Sequence, residues 1–192
     1  MDTAAVKLTH LHPADYKRMP WKNGGGMTTE LMNEPGDDGY AWRISIAEVT
    51  QSGPFSDFSD YDRTIMLLDG SGFTLEFEQR PTQRLAHSFE PFRFDGAWRT
   101  HCTLIDGPVR DFNLMARKGT EAVLDVLRLV PGAGPAMPAR TTLLHLVHGQ
   151  ITACGQELAP GDTLRIDAAT EPLALNLHRP SIAALIRIGG AA

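Results

Sequence analysis

The sequence predicts an all-β protein, a sandwich or barrel, and three features of its pattern support that prediction. Apolar segments are short, they are separated by Gly, Pro and Asp, and almost nothing repeats at helical spacing for long. The chain has 192 residues, of which 18 are Gly and 13 are Pro. We therefore expect many short strands joined by turns, with helix limited to a short turn near residues 13–16.

The predicted strands follow one another as alternating or apolar segments. In residues 42–47, Trp42, Ile44 and Ile46 share one face of an extended chain. Residues 65–68 and 73–78 flank a Gly-containing turn, and together they predict a hairpin. The other expected strands lie at residues 89–94, 111–115, 121–130, 143–152 (two strands and a turn), 158–166, 173–178 and 182–188.

Polar side chains occupy one face of two of these strands. Arg43 lies mid-strand, where a charge must either face solvent or be paired. Asp111 and Asn113 share one face of a strand whose other face carries Phe112 and Leu114. If those two apolar side chains fill the core between sheets, the polar face meets solvent. If the barrel has a polar lumen, the polar face meets a ligand.

A glycine-rich segment at residues 19–30 is the strongest candidate for a functional loop. Its three consecutive glycines let main-chain N–H groups approach a ligand or another strand closely. Lys22 precedes the glycines, and residues 33–36 form a turn, so the segment does not match a phosphate-binding loop. The glycines by themselves favour a tight corner between two strands over a ligand contact.

Composition excludes several classes of partner. The formal net charge of −5 leaves no electrostatic footprint for nucleic acid or an anionic membrane. No apolar run approaches the length of a membrane span, and the N-terminal residues lack a signal-peptide core, so a cytoplasmic location is expected. Cys102 and Cys154 are far apart in the sequence and are expected to be reduced thiols.

The chain also resembles a known family. Residues 146–167 resemble the cupin pattern of a Gly-led hairpin followed by a Pro-Gly-Asp turn, and the region around Gly70 and Gly72 is similar. Five ordered motifs together resemble the HutD/Ves family; they lie at residues 20–28, 42–49, 53–56, 62–63 and 111–115. The resemblance implies a bicupin fold, with two β-barrel or jelly-roll units in one compact chain.

The domain boundary is expected at the Pro/Gly cluster of residues 131–135. Residues 1–130 would form a first cupin-like unit with an N-terminal arm, and residues 131–192 a second, with strands exchanged between them. A similar order of strand, polar residue, Gly and strand at residues 65–70 and 144–149 indicates that the two units are related.

The sequence predicts neither a metal site in the barrel nor a cofactor. Cupin ligand positions, counted from the flanking glycines, carry Ser59, Tyr61 and Ile65 in the first unit, and Leu164 stands at the third ligand position of the second. The pair His10 and His12 lies in the N-terminal arm, outside the barrel pattern, and is interpreted as solvated or locally hydrogen-bonded. No nucleophile motif is present, so no catalytic residue is assigned.

A set of cationic and polar residues remains as the candidate ligand site. An Arg side chain can hold a carboxylate through two parallel N–H bonds, and an amide can bind a formyl or amide oxygen. The alternative for Arg43 is a structural ion pair with Glu48 or Asp111. The candidate ligand-binding residues are Trp21, Lys22, Asn23, Gly24, Gly25, Arg43, Ser45, Phe55, Arg63 and Asn113.

Three functions follow from these observations. The resemblance implies a non-catalytic protein that restrains histidine utilisation by sensing a small anionic metabolite such as N-formylglutamate or urocanate. One alternative is a metal-independent hydrolase or isomerase, which needs a titratable residue in the same pocket as Arg43. The other is an interaction module that pairs through its strand edges. A homodimer is compatible with all three.

Overall fold

The computed structural model describes residues 6–131, 139–169 and 175–189. Over these residues the chain is almost entirely β-strand, with one 3-10 turn at Pro13–Asp15, which confirms the predicted all-β class. The strands are β1 (Lys7–Leu11), β2 (Lys17–Pro20), β3 (Gly26–Pro35), β4 (Tyr40–Val49), β5 (Gly53–Pro54), β6 (Tyr61–Asp69), β7 (Phe73–Phe77), β8 (Gln83–Leu85), β9 (Phe92–Asp95), β10 (Thr100–Leu104), β11 (Val109–Arg117), β12 (Ala122–Leu129), β13 (Ala139–His148), β14 (Ile151–Ala153), β15 (Gln156–Leu158), β16 (Thr163–Ala169), β17 (Leu175–Leu177) and β18 (Ser181–Ile188). No helix within the described residues is long and apolar enough to cross a membrane.

The chain divides into two compact units. One comprises Tyr16–Gly119, and the other comprises Met1–Asp15 together with Thr120–Ala192. β12 therefore lies in the second unit, whereas the sequence placed the boundary after residue 130. The sequence predicted that residues 1–20 form a strand or an irregular arm outside the barrel pattern. β1 is a strand, but it does not lie outside that pattern, because it pairs along its whole length with β16.

The unit of residues 16–119 contains two antiparallel sheets. A six-stranded sheet has the order β2-β3-β4-β11-β6-β9, and a four-stranded sheet has the order β5-β10-β7-β8. Its apolar core includes Ile65, Leu67, Phe73 and Leu75, each no more than 1% exposed. Alternating apolar residues on β6 and β7 supply these side chains; the other face of β6 is buried as well, since Met66 is fully buried.

The unit of residues 1–15 and 120–192 contains a five-stranded sheet, β1-β16-β13-β18-β12, and a three-stranded sheet, β15-β14-β17. Its core is aliphatic and includes Leu144, Leu146, Ile151 and Leu164. Part of each unit's larger sheet has an equivalent order, because β4-β11-β6-β9 corresponds to β12-β18-β13-β16. The structure therefore supports the internal repeat that the sequence indicated.

The predicted hairpin of residues 65–78 is wrong. β6 and β7 belong to different sheets, so the turn between them carries the chain from one sheet to the other. Gly70 in this turn and Gly149 between β13 and β14 have φ values of +100° and +93°. A Cβ atom at either position would lie 2.6 Å from a backbone oxygen, of Pro108 or of Pro180. Both crossings thus require glycine because another strand approaches closely.

Candidate functional site

A cavity of about 690 Å³ lies within the unit of residues 16–119. Strands β4, β6 and β11 form one wall, and the segments around residues 19–23 and 54–58, together with Thr28 of β3, complete the lining. The lining residues are Met19, Pro20, Trp21, Lys22, Asn23, Thr28, Arg43, Ser45, Ala47, Val49, Pro54, Phe55, Ser56, Phe58, Arg63, Asp111, Asn113 and Met115. The volume falls within the range of pockets that hold small molecules.

The strand order brings the polar residues together. β11 lies between β4 and β6, and its register sets Asn113 opposite Ser45 and Met115 opposite both Arg43 and Arg63. Side chains at these positions share one face of the sheet because the strands alternate with a period of two. The opposite face of β11 carries Phe112, which is fully buried. Asp111, Asn113 and Met115 on the other face are only 1%, 6% and 3% exposed and belong to the cavity lining, so this face of the strand lines a lumen and does not face solvent.

Arg63 is the most buried cation of the cavity. The residue is 7% exposed, and its guanidinium carbon lies 5.0–5.2 Å from the ring centroids of Phe55, Phe58 and Phe94. One Nη2–H donates to Asn113 Oδ1 at 2.7 Å, while the buried Nε has no hydrogen-bond partner among the described residues. Burial lowers the pKa of Arg63 to about 10, so the side chain remains charged at neutral pH.

Asp111 is the one carboxyl group among the lining residues. The residue is 1% exposed, and Asn113 Nδ2 donates a hydrogen bond to its Oδ1. Asn113 thus bridges Asp111 and Arg63, accepting from the guanidinium and donating to the carboxylate. Burial raises the pKa of Asp111 to about 7, against the opposing effects of Arg63 and Asn113. The carboxyl group therefore titrates near neutral pH.

Arg43 forms an ion pair with Glu30, which was not among the partners predicted from the sequence. Its Nε–H donates to Glu30 Oε2 at 2.6 Å, and Glu30 Oε1 accepts from Asn33 Nδ2 at 2.8 Å. The expected alternatives, Glu48 and Asp111, are not its partners, because Glu48 pairs with Arg18 and Asp111 with Asn113. Glu30 lies on the neighbouring strand β3, opposite Ser45 in the ladder, which places it beside Arg43. The ion pair fixes the position of Arg43 in the cavity wall.

The glycine-rich loop is a tight corner between β2 and β3, the interpretation that the glycines alone favoured. Gly24, with φ of +71°, donates its N–H to Trp21 O, and Gly25 O accepts from Thr50 N at 2.9 Å. The corner turns Trp21, Lys22 and Asn23 toward the cavity. Trp21 is fixed there by a 2.8 Å hydrogen bond from its Nε1 to Thr28 Oγ1.

Eight of the ten candidate residues line this cavity; Gly24 and Gly25 do not. The sequence analysis placed Asp111 on the strand face that could meet a ligand and considered it as an ion-pair partner of Arg43, but Asp111, Met115 and Phe58 were not among the candidates. Asp111 and Met115 were detectable from their alternation with Asn113. Phe58 gave no such signal, because it lies outside the strands in the segment between β5 and β6.

The family of the chain follows from comparison with known proteins. The sequence model of the HutD family matches residues 13–185. The chain belongs to the HutD family. An uncharacterised 21.2 kDa protein in the hutC 3′ region of Pseudomonas putida is 35% identical over 180 residues, which cover 90% of this chain and 93% of that protein. Protein Ves of Cronobacter sakazakii is 36% identical over 108 residues, covering 54% of this chain and 59% of Ves.

Solved structures agree with this membership. HutD from Pseudomonas fluorescens SBW25, solved in a formate condition, has a TM-score of 0.82 and 32% identity, covering 96% of this chain and 100% of that one. YhhW from Escherichia coli has a TM-score of 0.70 at 10% identity, covering 94% and 97%, and shows the fold alone. The HutD-family chain has the predicted bicupin fold.

The cupin ligand positions of this HutD-family chain do not form a metal centre. Ile65 and Leu164 are fully buried in the apolar cores of their units. Ser59 is exposed and donates to Asp57 Oδ1. Among the described residues, the one group of three His, Cys, Asp or Glu side chains with metal-binding spacing is His10, His12 and Asp162, which lies in the other unit.

Proposed function

We propose that this HutD-family chain is a non-catalytic protein that binds a small carboxylate-bearing metabolite of histidine breakdown and thereby regulates histidine utilisation. N-formylglutamate and urocanate are the proposed ligands. The observation that supports this most is the presence of Arg43 and Arg63 in one cavity whose lining contains a single carboxyl group, Asp111.

The charge balance of the cavity favours an anion. Arg43, Arg63 and Lys22 contribute three cations. The ion pair with Glu30 neutralises Arg43, and burial holds Asp111 partly protonated near neutral pH. This excess of positive charge is local, since the whole chain carries −5. Guanidinium groups in a site shielded from water bind carboxylates through charge-assisted hydrogen bonds.

The cavity also contains groups that can recognise the rest of such a ligand. Ser45 and Asn23 offer hydroxyl and amide groups for a formyl or amide oxygen. Phe55 and Trp21 supply aromatic surface for a carbon chain or an imidazole ring. Nε of the buried Arg63 adds a donor that no group in the described part of the chain satisfies. A ligand that accepts a hydrogen bond from this Nε would offset the free-energy cost of leaving a buried donor unsatisfied.

A thermal-shift measurement tests the proposal. Urocanate, N-formylglutamate, histidine and glutamate are added separately to the protein. We expect one acid, at about 100 times its dissociation constant, to raise the melting temperature by about 5 °C or more. Arg43→Ala should abolish most of the rise, because it removes a guanidinium of the cavity wall.

Arg18→Ala is the matched control. Arg18 is exposed, lies on β2 and pairs with Glu48 outside the cavity lining, so its removal should leave the ligand-induced shift unchanged. The proposal fails if none of the four compounds shifts the melting temperature, or if the two variants respond alike.

The affinity for the acid is expected to increase as the pH falls toward about 7 and to level off below it. A bound anion favours the neutral form of Asp111, so binding takes up a proton, and lower pH supplies it. The increase cannot exceed about tenfold per pH unit for one proton. Calorimetry in buffers of different ionisation enthalpy measures the uptake directly. Asp111→Asn should remove the uptake, and a proton release on binding would contradict the assignment.

A metal-independent enzyme is the second candidate, and Asp111 is the observation that favours it. Such an enzyme requires a titratable residue in the same pocket as Arg43. The cavity contains Asp111, whose pKa is raised to about 7 by burial. An acid or base is most effective when its pKa lies near the operating pH. NMR of each candidate acid incubated with the protein tests for this enzyme activity. Turnover by the unaltered chain that is lost in Asp111→Asn would establish the enzyme. Unchanged spectra would exclude activity on those acids.

A further inference from the structure

Two histidines from the start of the chain meet an aspartate from near its end. His10 Nε2 lies 3.2 Å from Asp162 Oδ2, and His12 Nδ1 lies 3.1 Å from Asp162 Oδ1. The three ligand atoms all lie within 4.8 Å of one another. The two histidines lie 150 or more positions before Asp162 in the sequence, but all three residues belong to the same compact unit.

The sheet explains why they meet. β1 pairs with β16 in a register that places His10 opposite Leu164, so the end of β1 lies beside the turn that precedes β16. His10 and His12 are two residues apart in an extended segment and therefore face the same side. Asp162 follows the Pro-Gly turn directly and points back to them.

The donor set suits a divalent transition-metal ion. Imidazole nitrogen and carboxylate oxygen bind Zn²⁺ at about 2.0–2.2 Å, so ligand atoms on one ion lie about 3–3.5 Å apart. The two nitrogen-to-oxygen distances, one to each carboxylate oxygen of Asp162, fall in this range. Asp162 Oδ2 also accepts the N–H of Ala159 at 3.0 Å, which fixes the carboxylate, as outer contacts do in metal sites.

The cluster is buried at Asp162 and exposed to solvent at His12. The Asp162 side chain is 6% exposed, whereas that of His12 is 58% exposed. The hydrogen bond from Ala159 N–H fixes the Asp162 carboxylate, and the exposed His12 side leaves an entry path and room for water ligands.

We propose that His10, His12 and Asp162 form a binding site for a divalent transition-metal ion of the zinc class, which clips β1 to the turn before β16. The site lies outside the cavity of Arg43 and Arg63 and does not depend on the function proposed for it. The ion would stabilise the unit of residues 1–15 and 120–192, because it joins chain segments that are remote in sequence.

The alternative is a cluster held by hydrogen bonds alone, with both imidazoles donating to Asp162. Untagged protein, stripped with a chelator and exchanged into chelator-free buffer, is titrated with Zn²⁺ by calorimetry and with Co²⁺ by visible absorption. We expect one ion per chain, a Co²⁺ ligand-field spectrum and a rise in melting temperature with Zn²⁺. His12→Ala and Asp162→Asn should each weaken binding by more than about 100-fold.

His101→Ala is the matched control, since His101 is an exposed histidine on β10 in the other unit. It should bind the ion as the unaltered chain does. Circular dichroism checks that His12→Ala, which alters an exposed side chain, remains folded. The proposal is overturned if the unaltered chain binds no ion, or if His12→Ala binds with unchanged affinity. A loss in His101→Ala equal to that in His12→Ala would also overturn it.

Discussion

Arg63→Ala is expected to lower the free energy of unfolding by about 3–5 kcal/mol, the usual result of removing one partner from a buried charged network. The substitution removes the guanidinium that packs against Phe55, Phe58 and Phe94. It also leaves Asn113 Oδ1 without its donor and Asp111 without a nearby cation. Denaturation with urea, followed by fluorescence, measures the change.

The size of this loss should depend on pH. Arg63 lowers the pKa of Asp111, so its removal raises that pKa further above the unfolded value. A carboxyl group with a raised native pKa destabilises the protein progressively as the pH rises, because the unfolded state then loses its proton more readily. The effect of Arg63→Ala should therefore be larger at about pH 8 than at about pH 5.

Arg93→Ala is the control for this prediction. Arg93 pairs with Asp62 at 2.8 Å, but its side chain is 61% exposed. An exposed ion pair contributes at most about 1 kcal/mol. Equal losses in the two variants would show that the buried network around Arg63 does not stabilise the unit.

Gly72→Ala is expected to lower the free energy of unfolding by about 3 kcal/mol or more. Gly72 has a φ of +100°, and a Cβ there would lie 2.4 Å from Leu85 O and 2.8 Å from Ala86 Cα. The left-handed backbone costs an L-residue about 1–2 kcal/mol. Displacing the β8 backbone adds an overpacking cost of about 1–3 kcal/mol. Thermal and urea denaturation both measure the effect.

Gly107→Ala separates the two contributions. Gly107 also has a positive φ, +70°, but no atom of the other described residues, its two chain neighbours apart, lies within 4 Å of a Cβ built there. Its substitution should cost only the backbone term, about 1–2 kcal/mol. A Gly72→Ala protein as stable as Gly107→Ala would mean that β8 moves away without cost.

The local sequence pattern predicted part of the cavity lining. Alternation along β4 and β11 put Arg43, Ser45 and Asn113 among the candidates, and the structure brings these three together in one lining. The sequence left open whether the polar face of β11 meets solvent or a lumen. That choice depends on β11 lying between β4 and β6, which are distant from it in the chain. Pairing of remote strands, not periodicity, decides what covers a face.

The ionic partners were the least predictable part of the site. Arg43 was expected to pair with Glu48 or Asp111, and it pairs with Glu30 on β3. A pattern within one strand carries no information on which side chain of the next strand lies alongside. The raised pKa of Asp111 is equally a tertiary property, since burial causes it.

The sequence by itself determined the all-β class, the repeated strand–Gly–strand units and the family, because these depend on the spacing of apolar residues, on turn chemistry and on ordered motifs. Tertiary structure alone decided that β6 and β7 lie in different sheets and that the polar faces enclose a cavity. It also decided that His10, His12 and Asp162 meet. The physical reason is common to all three: each depends on contacts between segments far apart in the chain, and sheet pairing, not local periodicity, sets those contacts.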